Sequence, residues 1–215
     1  MSLRLYFKPS SFRGALHTLW VGIGLSNALL LNILNRQYHL ALSRADSAEQ
    51  EKSLLHNRLI HDSMTGLYTR AYGLEQLESL LQDQTAPLSL LFVDLDDLKY
   101  WNDSHSHATG DQVISGVAQI IHENLTDQGL AVRYAGDEFF AVLPHTELAA
   151  ALGTAQHIQA ALEARPIHPA RPVTVSIGVA QSQPREAAEQ MIYRADQATY
   201  DSKRRGKNQI MVAQG

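Results

Sequence analysis

Two stretches constrain this chain more than any others: Phe92-Val93-Asp94-Leu95-Asp96 and Arg133-Tyr134-Ala135-Gly136-Asp137-Glu138-Phe139-Phe140. The first continues an apolar run from Leu88 that suits a buried central strand. The second reads as a hairpin, Leu130–Tyr134 and Phe139–Leu143, turning at Gly136-Asp137. Each strand ends or turns at carboxylates, so pairing them gathers several acids at one sheet edge. Hard oxygen donors gathered in this way hold Mg²⁺ against a nucleotide triphosphate, since Mg²⁺ commonly takes one or two carboxylates and leaves positions for phosphate and water.

The pattern around these strands is that of one mixed domain. Val113, Ile114, Val117, Ile120 and Ile121 fall at helical spacing within Gln112–Leu125, and a second helix covers Glu147–Ala164. Pro172–Ala180 alternates as a strand, Glu186–Arg204 is helical, and Gln209–Val212 is a last short strand. The order β-α-β-β-α-β-α-β gives an α+β fold, a central and mostly antiparallel sheet flanked by helices.

The N-terminal part has a different texture. After a tail over 1–13, residues 14–35 form an apolar stretch interrupted by His17, Thr18, Ser26, Asn27 and Asn32, close to the ~20 residues a bilayer-spanning helix needs. This predicts a membrane anchor, with a helix buried in a dimer or against the main domain as the alternative. Residues 36–61 lack proline and glycine, and Ala41, Ala45, Ala48, Lys52, Leu55 and Leu59 alternate four and three apart, a weak coiled-coil seam. They read as a stalk pairing two copies, or as a helical spacer. The main domain occupies 62–215. With 215 residues and a net charge of −4, the chain has room for one ordinary domain plus an appendage and lacks the charge of a nucleic-acid binder. Cysteine is absent, which excludes disulfides, thiolate metal sites and a cysteine nucleophile.

Several further residues suit a nucleotide site, each with a plainer role beside it. Asn102 and Asp111 flank a polar segment, and an amide with a carboxylate can read guanine. Equally, Asp111 can cap a helix and Asn102 can sit in a turn. Lys203 and Lys207, four apart, would share a helix face and grip a triphosphate, or merely complement a helix C-terminus. Asp137 and Glu138 alone would suit a turn and a solvated edge. His105 and His107 lack partners at zinc-ligand spacing and read as structural. No Walker A loop occurs.

Taken in order, these motifs resemble the GGDEF domain, the diguanylate cyclase family. Asp62-Ser63-Met64-Thr65-Gly66-Leu67-Tyr68-Thr69-Arg70 is similar to its opening D-x-L-T-G-L-x-N-R. Phe92–Asp111 is similar to F-x-D-x-D-x-F-K-x-x-N-D-x-x-G-H-x-x-G-D, Ala135–Phe139 to the signature, and Val175–Val179 to the S-I-G-V strand. Ala195–Tyr200 with Lys203 and Asn208 resembles the closing A-D-x-A-x-Y-x-A-K-x-x-G-R-N. The resemblance implies a palm-like, nucleotide-cyclase-like core and condensation of two GTP into cyclic di-GMP by a homodimer. It implies that Asp94, the Leu95 carbonyl and Glu138 hold Mg²⁺, or Mn²⁺ in its place, with Asp137 as a further metal-site acid and base. Asn102 and Asp111 would bind guanine, Lys99, Lys203 and Lys207 the phosphates, and Ala135 and Gly136 would let the backbone approach the nucleotide. It further implies a catalytic domain in the cytoplasm, at the inner membrane if 14–35 spans it, and no nucleic-acid partner.

The chain departs from that pattern in particular places. Ala135 replaces the first signature glycine, Ser106 stands where the family has glycine, and Lys207 stands where arginine is usual. Thr126, Asp127, Gln128 and Gly129 occupy the R-x-x-D product-inhibition site, which is therefore expected to be absent. These departures keep open a degenerate member that binds GTP or a protein without turnover. A different Mg²⁺-dependent nucleotidyl transferase or cyclase is the remaining alternative.

Overall fold

The computed structural model, which describes residues 9–83, 86–169 and 171–214, opens with helix α1, Pro9–Ile60. From Leu25 to Thr65 the chain holds neither proline nor glycine, so nothing breaks the hydrogen-bond ladder. The apolar stretch 14–35 and the following segment as far as Ile60 accordingly lie on one continuous helix. Among the described residues no helix is long and apolar enough to cross a membrane, so the spanning reading of 14–35 finds no support here. Residues 1–8, with Arg4 and Lys8, lie outside the described residues, as do the side chains of Ala48 and Leu55 on the expected seam.

The chain divides into two compact units, Met1–Leu55 and His56–Gly215. In the first, Trp20, Leu29, Leu30, Leu31, Ile33 and Leu34 are exposed, Trp20 at 72% and Leu31 at 66%. In the second, α1 ends in a tight turn. The Asp62 carboxylate accepts from the Thr65 amide at 2.9 Å and from its hydroxyl at 2.8 Å, while the Gly66 amide donates to the Asp62 carbonyl.

The second unit is a six-stranded sheet in the order β1-β3-β4-β2-β5-β6. The strands are β1 Tyr68–Thr69, β2 Leu88–Leu95, β3 Leu130–Ala135, β4 Glu138–Pro144, β5 Val175–Gln181 and β6 Ile210–Val212. The three central pairings are antiparallel and the two edge pairings parallel, which agrees with the mixed, mostly antiparallel sheet read from the sequence. Helices α2 Arg70–Gln82, α3 Leu98–Ser104, α4 His107–Glu123, α5 Leu148–Ala164 and α6 Ala188–Arg204 complete the unit. Strand β2 is buried along its whole length, as its apolar run requires.

Because side chains alternate along a strand, β2 feeds two cores. Leu91, Val93 and Leu95 pack under α4 and α5, while Leu88, Leu90 and Phe92 pack under α2 and α6. Asp94 continues the second set and so lies on the α6 side. Helix α6 rides very close to the sheet there: a Cβ on Gly178 would stand 1.9 Å from the Ala195 carbonyl oxygen. The Thr199 hydroxyl, buried on α6, donates to the Phe92 carbonyl at 3.0 Å and ties the helix to β2. That register brings the last turn of α6 over the carboxylate end of β2.

Candidate active site

The β2–β4 register sets Asp94 directly opposite Glu138, on the same sheet face. Directly opposed residues carry Cβ atoms about 5 Å apart, so the two motifs meet as their apolar runs suggested. The hairpin turn closes over the strand end, with the Leu95 amide donating to the Asp137 carbonyl at 3.2 Å. Asp94 is 8% exposed; its Oδ2 pairs with Lys203 Nζ at 2.5 Å, and its buried Oδ1 has no partner. Burial pushes the Asp94 carboxyl up to about 6, with Lys203 opposing the rise and the charges of Asp137 and Glu138 adding to it. Burial raises Glu138 as well, reinforced by Asp196 and Asp137. Asp196, one α6 turn pair before Lys203, is itself raised by burial.

An unpartnered buried carboxylate oxygen beside like charges suits a cation, because a divalent ion would relieve both costs at once. Among the described residues no group of three His, Cys, Asp or Glu side chains is close enough to hold a metal. Asp94 and Glu138 with the Leu95 carbonyl form a smaller set, which fits an ion that takes its remaining ligands from substrate and water.

Asp96, next in the same motif, does something else. It is 2% exposed and accepts from the Thr174 hydroxyl at 2.8 Å, the Ser176 hydroxyl at 2.8 Å and the Asn208 amide at 3.0 Å. These bonds use its lone pairs to fasten β5 and the loop after α6 to the end of β2. Its side chain is a structural clamp.

The signature turn accommodates Ala135 without strain. Gly136 takes the left-handed φ of +49°, whereas Ala135 ends β3 paired with Glu138 and is absent from the positive-φ residues. The methyl group therefore asks nothing special of the backbone. Arg133, which the sequence reading passed over, donates from Nε and Nη2 to the Gly136 carbonyl and from Nη1 to Asp62 at 3.0 Å. It joins the turn after α1 to the signature turn.

Asn102 and Asp111, the residues expected to read guanine, lie on two helices, of which the polar sequence concealed α3 and the first turn of α4. Asn102 sits on α3, and Asp111 lies one residue past Gly110 on α4. A Cβ on Gly110 would fall 2.1 Å from Asn102 Oδ1, so only glycine there leaves the amide its place. The α4 cap is Ser106, whose hydroxyl accepts from the Thr109 amide at 3.2 Å, so Asp111 is left exposed for another partner. Serine at the departure from the family pattern thus has a defined use.

The three lysines fare differently. Lys99 is exposed on α3. Lys203 lies in the last turn of α6, but Lys207 is beyond the helix, in a loop where Gly206, Lys207 and Asn208 all have positive φ. The expectation that the two share a helix face is thereby corrected: Lys207 instead pairs with Asp97 at 2.5 Å.

The model of the family described as "Diguanylate cyclase, GGDEF domain" matches residues 59–209. The response regulator PleD of Caulobacter vibrioides is 35% identical over 161 residues, covering 71% of this chain and 36% of that protein. Diguanylate cyclase DgcM of Escherichia coli is 33% identical over 177 residues, covering 78% of this chain and 42% of that protein. The chain thus spans less than half the length of these curated relatives. Among solved structures, the coiled coil and GGDEF domain of DgcB from Caulobacter crescentus, in complex with c-di-GMP, superposes with a TM-score of 0.79 at 26% identity, over 84% of this chain and 99% of that one. The GGDEF domain of YfiN from Pseudomonas aeruginosa gives 0.67 at 32% identity, over 72% and 94%. With the family model covering well over half of the sequence and the paired acids in register, this chain belongs to the GGDEF family.

Proposed function

We propose that the chain is a diguanylate cyclase that condenses two GTP into cyclic di-GMP and two pyrophosphates, working as a Mg²⁺-dependent homodimer. The observation that carries the reading is the Asp94–Glu138 pair at the end of β2, with Asp94 Oδ1 buried and unpartnered. Asp94, the Leu95 carbonyl and Glu138 would hold Mg²⁺, which supplies charge neutralisation on the phosphates and a lowered pKa for the attacking hydroxyl. Asp137 is the further carboxylate of the metal site and the base that accepts the 3′-hydroxyl proton. Asn102 and Asp111 orient guanine, and Lys99, Lys203 and Lys207 draw the triphosphate toward the strand end.

Each unit binds one GTP. In the reaction the 3′-oxygen of one GTP bonds to the α-phosphorus of the other, the α–β bridging bond breaks and pyrophosphate leaves; the reciprocal step closes the ring. Two copies must therefore face each other. The exposed apolar side chains of α1, Leu29, Leu30, Leu31, Ile33 and Leu34, support pairing, since a second copy would cover them. The unit works in the cytoplasm, where GTP is supplied. Thr126–Gly129 forms an exposed turn lacking the charged pair of the inhibition site, so the enzyme escapes product feedback there.

The test is incubation of the full chain with GTP and Mg²⁺, with products identified by mass, beside Asp94→Ala and Glu138→Ala. Cyclic di-GMP from the parent alone is the expected result. GTP binding and dimerisation without product would replace this reading with a nucleotide-binding module.

A further inference from the structure

Two charged groups near the end of β2, Asp97 and Arg171, remain outside the machinery described so far, and Asp97 joins Arg171 to Lys207. Asp97 follows Asp94 by three residues, at most about 11 Å of chain. Its Oδ1 pairs with Lys207 Nζ at 2.5 Å and its Oδ2 with Arg171 Nη2 at 2.9 Å. One carboxylate thus holds two cations, one on each oxygen, as a phosphate would. The Arg171 guanidinium also lies over the Tyr100 ring at 4.6 Å and 5.9 Å from the Trp101 ring centroid, both on α3, the helix that carries Asn102. The cation pair consequently sits between the strand end and the guanine-reading helix.

The backbone singles out the same place. Asp97 has φ +58°, Lys207 +64° and Asn208 +49°. Non-glycine residues adopt this conformation at a cost, and such costs concentrate at ligand sites. The loop is pinned by the Asn208 amide on Asp96, so Lys207 is presented rather than left to wander.

The ion pairs themselves are not a strong structural device. The Asp97, Arg171 and Lys207 side chains are 34%, 36% and 43% exposed, and pairs this wet contribute little. They can be exchanged cheaply for a polyphosphate, which offers more charge and fits the guanidinium fork.

Building on the cyclase reading, we propose that Asp97 occupies the phosphate position of Lys207 and Arg171 in the substrate-free chain, that a triphosphate binds there by displacing it, and that Arg171 is a further triphosphate-contacting residue. Asp97 is then an internal competitor that sets GTP affinity.

The experiment is calorimetric titration of the full chain, with Mg²⁺, by a non-hydrolysable α,β-methylene GTP analogue and separately by inorganic tripolyphosphate. Asp97→Asn removes the competing charge while suiting left-handed backbone; Asp97→Gly is the second variant should the first fold poorly. Both variants are expected to bind both probes about fivefold more tightly, the equivalent of an exposed ion pair. Arg171→Met is expected to weaken both. The gain from D97N should vanish when Lys207→Met and Arg171→Met are present. Unchanged or weaker binding by D97N, or a gain that survives loss of both cations, overturns the inference. Tighter tripolyphosphate binding by D97N in a chain that forms no cyclic di-GMP sustains the inference and removes the cyclase reading. Cyclic di-GMP formation with no tightening in D97N does the reverse.

Discussion

Asp94 is buried with one carboxylate oxygen unpartnered, and the pH dependence should show the cost. In the folded chain it keeps its proton up to about 6, against 3.8 ordinarily. Its contribution to stability is therefore full below about pH 4 and lost as pH rises through 6, at most about 3 kcal/mol. Denaturant midpoints of the metal-free chain between pH 4 and 7 should show that loss, and Asp94→Asn should flatten it. On the cyclase reading the same proton would compete with Mg²⁺, so at low Mg²⁺ activity should fall below pH 6 and recover when Mg²⁺ is raised. Ala135 gives a second prediction at this scale. Because it needs no left-handed backbone, Ala135→Gly should raise kcat/KM no more than about threefold, about 0.7 kcal/mol of barrier. A large activation would show that the methyl crowds substrate. The opposition of Asp94 and Glu138 was legible in the sequence because each stands at the carboxylate end of an apolar strand run. The fastening role of Asp96 was not, since its three partners lie far along the chain and only the fold assembles them. For the same reason Lys207 looked like a helix residue until the positive φ values placed it in a loop.

Among elements, the five strands from β2 onward were legible, whereas β1, α2 and α3 were not. The apolar runs of β2 and the β3–β4 hairpin announce themselves, as does the Val113–Ile121 periodicity of α4. Helix α3 hides in a run of Asn, Asp, Ser and His, residues of middling helix propensity, and its anchor is a single fully buried side chain, Trp101. The first turn of α4 was missed likewise, because the capping role of Ser106 shows only once its hydroxyl meets the Thr109 amide. Ser106→Ala should cost about 1 kcal/mol by urea unfolding. Gly178→Ala tests the close seat of α6 on β5. A methyl 1.9 Å from the Ala195 oxygen cannot be absorbed without shifting the helix, so a loss of about 2–3 kcal/mol is expected, with Lys203 displaced from Asp94. Retained stability in that variant would mean that the helix seat is looser than the packing implies.

For the molecule as a whole, the proposed chemistry requires two copies, so specific activity should rise with chain concentration until the dimer saturates. Activity independent of concentration in the range where sedimentation shows monomer would contradict the two-copy requirement. Added cyclic di-GMP should leave the initial rate unchanged, as Thr126–Gly129 carries no arginine–aspartate pair. The order of the elements from Leu88 to Val212 was largely legible, whereas β1 and α2 ahead of it were not read, and 14–35 stays ambiguous by composition because an apolar helix awaiting a partner and one awaiting lipid look alike. Helix α1 adds one more consequence. It runs without interruption to Ile60 and delivers the chain straight into the Asp62 turn, which Arg133 ties to Gly136. Within the second unit, one guanidinium therefore joins the turn after the helix to the carbonyl of the signature glycine. Arg133→Met should cut that tether and leave the signature turn as the first place to exchange its amide hydrogens, a rivet whose loss is felt on both plates.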